Sequence, residues 1–135
     1  MIIPRLFDDQ VVAVFRICGA MRCKEISEIR VNDMKKEGRI FVVHVEKTKT
    51  KIKRTFVIDK TEYVGLVDQY RKMRPTSLKK ENFFFNYRKG KAVAQVLGVN
   101  QFYKFPERIA TFLQIPNAKE YTGRFIITWC LLFPV

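Results

Sequence analysis

A β-hairpin signal in the first half of the chain most restricts what it can fold into. Apolar and polar residues alternate from Arg39 to Lys47, with Phe41, Val43 and Val45 on one face. This period of two is typical of a strand with one buried side. A second run, Ile52 to Ile58, has the composition of a returning strand. The two runs together predict an antiparallel hairpin.

The tip of this predicted hairpin is strongly basic. Every second residue is a lysine, and an arginine follows the last of them: Lys47, Lys49, Lys51, Lys53 and Arg54. Lysines at sheet edges often serve only to prevent edge-to-edge aggregation. The alternative is a positive finger that lies against a phosphate backbone, where each contact releases a condensed counterion.

The segment before the hairpin predicts a central helix. Its body is Gln10 to Cys18, with Asp8 or Asp9 as the N-cap and Gly19 as the stop. Apolar side chains cover much of the circumference of this segment, so we expect it to be buried on most sides.

A second, shorter helix is predicted from Cys23 to Arg30. This boundary places Arg22 at a helix start, close to backbone N–H groups that also favour anions. The simpler interpretation is a surface arginine paired with Glu25 or Glu28. The residues alone leave both interpretations open.

The rest of the chain adds helices and one buried aromatic segment. The predicted elements are a helix over Lys60 to Arg74, a buried Phe83-Phe84-Phe85 segment, an exposed basic turn over Asn86 to Lys91, a weakly helical stretch over Ala92 to Leu97, and a helix over Glu107 to Gln114 with Pro106 at its first turn. The fold class is therefore α+β, mainly helical with a small antiparallel sheet.

The charge of the chain favours a polyanionic partner. The 135 residues include 26 Lys+Arg and 13 Asp+Glu, a formal net charge of +13. A surface this positive attracts nucleic acid, which makes it the leading partner class. An anionic membrane surface and simple solubility are the alternatives. The length and the 47% hydrophobic content fit one domain with a single core.

Metal sites and membrane spans are not expected. Three cysteines, Cys18, Cys23 and Cys130, form no CxxC pair, and His44 is the single histidine, so the spacing of a zinc site is absent. The cysteines indicate a reduced, intracellular protein. The longest uncharged run, Phe125 to Val135, is 11 residues, whereas a membrane span needs about 20. Met1 to Arg5 lacks the pattern of a signal peptide.

Two segments together resemble the first part of the catalytic domain of tyrosine recombinases, the phage-integrase type. They are GAMRCKEISEIRVND, from Gly19 to Asp33, and TKTKIKRTFVI, from Thr48 to Ile58. That family has an R-x-x-E-[LI] helix start, a hydrophobic-x-x-x-D stretch and a strand–TKT–strand hairpin. The matching residues are Arg22, Glu25, Ile26, Ile29, Asp33 and Lys49. The resemblance spans roughly residues 7–123, and the eukaryotic, mobile-element-derived (Crypton-like) branch is the most similar.

The resemblance implies a role for each matching residue. Arg22 would be the first of two arginines that clamp the scissile phosphate through two-pronged, charge-assisted bonds. Lys49 would be the hairpin general acid that protonates the departing sugar oxygen. Glu25 and Asp33 would support the scaffold by holding Arg22 or capping turns. DNA contacts are expected from Arg22, Lys47, Lys49, Lys51, Lys53 and Arg54, with no metal or cofactor.

The later motifs of the family are not present in this sequence. The family has an H-x-x-R motif and then a nucleophilic tyrosine. Here Tyr121-Thr122-Gly123 is followed by Arg124-Phe125-Ile126-Ile127, and no tyrosine follows. We therefore expect a partial recombinase-like catalytic domain over residues 1–123 and an atypical apolar tail over residues 124–135. A frameshift or splicing event would explain such a C-terminal truncation.

The expected function is that of a DNA-binding remnant of a DNA recombination and integration enzyme. Without the second arginine, the histidine and the tyrosine, the chain alone is expected not to cleave DNA. The alternative is a domesticated protein-interaction module, in which a partner or a second copy binds exposed core or the tail. An unrelated RNA-binding domain is a third possibility, but no RNP-like or GXXG motif supports it. The expected location is intracellular and nuclear.

Overall fold

The first helix, α1 (Phe7–Gly19), lies at the centre of the fold. A computed structural model describes residues 7–46, 53–88, 91–112, 114, 116 and 117. The elements that follow α1 in these residues are α2 (Cys23–Glu28), a 3₁₀ turn (Val31–Asp33), β1 (Met34–Glu37), β2 (Ile40–Val45), β3 (Arg54–Ile58), α3 (Thr61–Lys72), β4 (Phe85–Arg88), β5 (Lys91–Val96) and α4 (Val99–Phe112).

The burial of α1 confirms the predicted central helix. Val11 and Phe15 are fully buried, and the helix packs against α3, β3, α4 and β4. The predicted N-cap at Asp8 or Asp9 is wrong, because both residues lie inside the first helical turn and are buried there. Asp9 is held in this position by Arg108 of α4.

The predicted hairpin is present, and it belongs to a three-stranded antiparallel sheet in the order β1-β2-β3. Phe41, Val43 and Val45 point into the core as the alternation predicted. The register pairs Phe41 with Ile58 and Val45 with Arg54. The sequence did not predict β1, since three of its four residues are charged and exposed. Gly38 has a φ of +63°, which suits the tight turn between β1 and β2.

Gly19, the last residue of α1, lies close to the Phe56 ring. A Cβ at this position would lie 2.4 Å from the Phe56 ring, so no larger residue fits without movement of that ring. The left-handed residue that turns the chain is the next one, Ala20, with a φ of 47°.

Two predictions in the second half of the chain are wrong. Residues 92–97, predicted to be weakly helical, largely form the strand β5, which pairs with β4. The basic turn predicted over 86–91 begins with part of β4, and Asn86 is buried. Alanine and valine alternate too weakly with polar residues here for the local pattern to indicate a strand, so pairing with β4 decides the conformation.

The last helix also differs from its prediction. Pro106 lies inside α4 and not at a first turn. A proline has no N–H to donate to the carbonyl four residues earlier, which here belongs to Phe102. The Cys23 thiol donates to that carbonyl oxygen at 3.5 Å and replaces the missing partner. Burial raises the pKa of Cys23, and nearby Arg16 offsets only part of this effect. The raised pKa keeps the thiol protonated.

A cluster of aromatic side chains contributes to the core around α1. The Phe83-Phe84-Phe85 segment is buried as predicted. The Tyr70 ring stacks on Phe85 with centroids 4.3 Å apart, and its hydroxyl donates to the Phe85 carbonyl at 2.7 Å and accepts from the Phe85 N–H at 2.8 Å.

Candidate nucleic-acid interface

The turn between α1 and α2 presents Arg22 to solvent. Arg22 is exposed and immediately precedes α2, at the predicted helix start. Beside it, Met21 is only 1% exposed and anchors the turn in the core. Arg16 donates from Nη1 to the Met21 carbonyl at 3.0 Å. The buried Met21 and the bond from Arg16 thus hold the backbone next to Arg22 in place, while the Arg22 side chain is exposed to solvent.

Glu25 holds this turn from the α2 side. Its Oε1 accepts a hydrogen bond from the Arg22 backbone N–H at 2.9 Å. The carboxylate is buried, and burial alone would raise its pKa. Hydrogen bonds from Arg54 and from the Arg22 N–H outweigh that effect and lower the pKa of Glu25 below its ordinary value. Glu25 is therefore ionised at neutral pH.

Arg54 supplies the counter-charge from the sheet. Its Nη1 and Nη2 donate to the two Glu25 oxygens at 3.0 and 2.9 Å, in the two-pronged geometry that an arginine and a carboxylate favour. Nη2 also donates to the Gly19 carbonyl at 3.2 Å. One guanidinium thus joins the first residue of β3 to α2 and to the end of α1. Arg54 was expected to contact DNA, but its two terminal nitrogens are bonded within the protein.

Lys53 lies at the last described position before β3. Its Nζ is 3.1 Å from Glu46, which follows β2, so this ion pair spans the root of the hairpin. Both side chains are exposed to solvent, at 75% and 49%, so solvent screens the pair and weakens it. Lys47, Lys49 and Lys51, the other members of the basic cluster, lie outside the described residues.

Asp33 lies behind the Arg22 turn. Its Oδ2 accepts from the Arg30 N–H at 2.9 Å and caps the 3₁₀ turn. A groove of about 140 Å³ runs between this turn and the sheet, and carboxylates dominate its lining: Glu25, Glu28, Ile29, Arg30, Asp33, Val45 and Glu46. Two of these carboxylates are paired with basic residues, Glu25 with Arg54 and Glu46 with Lys53, so part of the negative charge is balanced within the protein.

A second arginine–carboxylate pair, which no sequence pattern indicated, lies at the opposite end of α1. Arg108 of α4 donates to both oxygens of Asp9, at 2.8 and 2.6 Å. Burial disfavours the charge of Arg108, but its bonds to Asp9 raise its pKa. Asp9 is buried, at 3% side-chain exposure, whereas the Arg108 side chain is 34% exposed.

Metal clusters and membrane-spanning helices do not occur in the described part of the chain. Residues 7–46, 53–88 and 91–117, apart from the gaps given above, contain no group of three His, Cys, Asp or Glu side chains that could hold a metal ion. No helix in the same residues is long and apolar enough to cross a membrane.

The described geometry is similar to that of solved site-specific recombinases. One is XerH bound to its difH substrate in a pre-cleavage complex, at 21% identity and a TM-score of 0.61, covering 90% of this chain and 33% of that one. Another is XerH with a palindromic difH substrate in a post-cleavage complex, at 20% identity, a TM-score of 0.62, and 90% and 32% coverage. No protein-family model and no curated protein matches this sequence.

The comparison confirms the predicted fold. The described residues have a tyrosine recombinase-like fold, with helices packed on a small antiparallel sheet. The chain spans about a third of the length of each XerH chain.

Proposed function

We propose that these 135 residues bind duplex DNA through Arg22, Lys47, Lys49, Lys51 and Lys53, and do not cleave it on their own. The XerH structures with a similar fold are described as bound to a difH substrate. The net charge of +13 supplies a long-range attraction for the same class of partner.

One observation carries this proposal. The exposed Arg22 and the root of the basic hairpin are joined through a single carboxylate, Glu25. The two segments that carry the resemblance to recombinases are separate in sequence, and this carboxylate brings them to one surface. Guanidinium and ammonium groups are both suited to phosphate contacts.

The proposed absence of cleavage rests on the sequence. His44 is the single histidine, and it is followed by Val45, Glu46 and Lys47, so H-x-x-R does not occur in these 135 residues. His44 is instead within 3.0 Å of Thr55 across the sheet, in a cross-strand pair. Arg22 and Lys49 would provide part of a phosphate site. Loss of one charge-stabilising donor reduces a rate by about 10² to 10³.

The binding experiment measures duplex-DNA affinity by fluorescence anisotropy between about 50 and 200 mM salt. Each lost phosphate contact reduces the slope of log K against log[salt] by about 0.9. A variant with Lys47, Lys49 and Lys51 changed to Gln is expected to lose most of the affinity and up to about three units of slope. The matched control changes the exposed Lys79, Lys80 and Lys104 to Gln and has the same net charge.

Equal losses in the two variants would mean that DNA responds only to total charge, and the proposed interface would be wrong. Affinity that does not vary with salt would favour the protein-interaction module over DNA binding. The cleavage part is tested with a nicked duplex, because a covalent protein–DNA adduct that survives denaturant would contradict it.

A further inference from the structure

The internal bonds of Arg54 give this residue a different role from that of the neighbouring lysines. Its terminal nitrogens make three hydrogen bonds to the protein, two to Glu25 and one to Gly19. Lys53, the preceding residue, has an exposed ammonium group paired across the surface with Glu46. Of these two adjacent basic residues, Arg54 is bonded within the protein and Lys53 is exposed on the surface.

We infer that Arg54 is a positioning residue, which acts through Glu25 to place Arg22 for DNA binding and makes no phosphate contact itself. The inference rests on the proposed function. The chain of contacts is short: Arg54 holds the Glu25 carboxylate, and the same Oε1 atom accepts from the Arg22 N–H.

A two-pronged phosphate contact through the Arg54 nitrogens that now hold Glu25 would require the release of Glu25. The Glu25 side chain is 7% exposed, so its charge would then be left buried without a counter-charge. Breaking a buried pair from one side is strongly unfavourable. The bond from Arg54 to the Gly19 carbonyl would be lost as well, at the point where α1 ends. The geometry therefore favours an Arg54 that stays in place while DNA binds beside it.

The turn that carries Arg22 depends on a small set of restraints. Ala20 is in the left-handed region, which an alanine adopts only under restraint from its surroundings. The Arg16 bond to the Met21 carbonyl restrains the middle of the turn, whereas Glu25 and Arg54 restrain its two ends. Loss of the Arg54 fork would remove the bond at Gly19 and leave the Glu25 carboxylate, which holds the Arg22 end, without its counter-charge.

The direction in which one substitution changes the DNA affinity distinguishes a positioning role from a simple effect of charge. Glu25→Gln removes a negative charge, which by electrostatics alone strengthens DNA binding. The inference expects Glu25→Gln to weaken binding by about 3- to 10-fold, since a neutral amide holds the Arg54 fork poorly. The matched control is Glu37→Gln, an exposed residue at the end of β1, which is expected to leave binding unchanged or slightly stronger. A Glu25→Gln protein that binds as tightly as the Glu37→Gln protein would overturn the inference.

A double-mutant cycle tests the link between Arg54 and Arg22. Arg22→Gln and Arg54→Gln are each expected to weaken binding, and the double variant is expected to be no worse than Arg22→Gln. Arg54→Lys keeps the charge but not the fork, so it is expected to behave like Arg54→Gln. Additive losses, each with its own decrease of about 0.9 in salt slope, would show that Arg54 contacts phosphate directly. Full affinity in the Arg54→Lys protein would have the same meaning.

Amide hydrogen exchange gives a readout that does not need DNA. The Arg22 N–H donates to Glu25, so it is expected to exchange at least about 10-fold faster in Arg54→Gln. The N–H groups of α3 serve as the internal reference for global stability. Unchanged exchange at Arg22 would overturn the inference. Wild-type protein without salt-dependent DNA binding would instead refute the proposed function, and the exchange result would still decide the role of Arg54.

Discussion

Asp8 gives the clearest stability prediction in this fold, because its carboxyl group is buried at the start of α1. Burial, followed by the neighbouring Asp9 carboxylate, raises the pKa of Asp8 from 3.8 to about 7. The Asp9 N–H donates to its Oδ1 at 2.9 Å, which offsets only part of that effect. We predict that Asp8→Asn stabilises the protein at alkaline pH.

The sign follows from proton binding. Between about pH 4 and pH 7 the folded state holds a proton on Asp8 that the unfolded state has released, so the free energy of unfolding decreases as the pH rises. One pKa unit corresponds to about 1.4 kcal/mol, so the full penalty above about pH 8 is about 4 kcal/mol. The asparagine side chain in the Asp8→Asn protein is neutral at every pH, and its oxygen can still accept from the Asp9 N–H.

The assay is urea unfolding followed by far-ultraviolet circular dichroism at about pH 4, 6 and 8. Asp8→Asn is expected to match the parent protein at about pH 4 and to exceed it by up to about 4 kcal/mol at about pH 8. The control is Asp59→Asn, the same chemical change at an exposed loop residue, with an expected effect within about 0.5 kcal/mol. A variant that is less stable than the parent at the alkaline pH, or an effect that is equal at the acidic and alkaline ends, would refute this reasoning.

Three other substitutions test the packing around α1 by the same unfolding assay. Gly19→Ala is expected to destabilise by about 1 to 3 kcal/mol, because its Cβ would lie 2.4 Å from Phe56. Gly65→Ala, inside α3 with nothing within 4 Å, is expected to stabilise by about 0.5 to 1 kcal/mol, and the reverse order would contradict the close approach. Tyr70→Phe is expected to cost about 2 to 4 kcal/mol by removing the hydroxyl that bonds the buried Phe85 N–H and carbonyl. Tyr103→Phe at an exposed site is expected to cost under about 0.5 kcal/mol, and similar losses would rule out the buried bridge. Arg108→Met is expected to cost about 3 kcal/mol or more by leaving Asp9 buried without its counter-charge. Simultaneous Asp9→Leu is expected to recover most of that loss, and a double variant as unstable as the single one would argue against the pair.

Local patterns predicted the elements whose own residues show which of their sides are buried. The alternation of Phe41, Val43 and Val45 identified β2 because one side of that strand is buried and the other is not. The apolar circumference of residues 10–18 identified α1 as central, since apolar side chains on most sides require burial on most sides. In both cases the apolar residues of the element itself indicate which of its sides are buried.

Elements that depend on a distant partner were predicted poorly. β1 has a charged sequence and exists because β2 pairs with it. α4 continues through Pro106, and Cys23, from a distant part of the sequence, supplies a weak donor to the Phe102 carbonyl, which Pro106 cannot bond. A proline is a good helix-start signal on average, and only the tertiary contact shows that it does not start this helix.

Of the candidate site, the sequence predicted the exposed Arg22 at a helix start, but not the internal pairing of Glu25 with Arg54. Arg22 lies at a helix start in both the prediction and the structure. The pairing of Glu25 with Arg54 joins residues 29 apart, and no periodicity relates them. Since the sequence presents Arg54 as one more member of a basic run, its internal bonds were not foreseeable from composition or spacing.

The count of 26 Lys+Arg therefore overstates the number of basic side chains that are free to bind a polyanion. Arg54 and Arg108 each bind a buried carboxylate, at opposite ends of α1. Arg74 donates to the carbonyls of Asn82 and Phe83 and so holds the loop after α3. Guanidinium groups suit these tasks because their planar forks bond two acceptors at once.

Lysine, whose ammonium is a flexible point charge, is suited to the opposite role. Lys53 is 75% exposed and makes a screened contact with Glu46, so solvent weakens that pair. Among these described residues, Arg54, Arg74 and Arg108 are bonded within the protein, whereas Lys53 and Arg22 present their charge to solvent. A salt slope counts only cations that replace condensed counterions. The salt slope therefore measures the cations that bind phosphate separately from the arginines that are bonded within the protein. A count of basic residues in the sequence cannot separate these two groups.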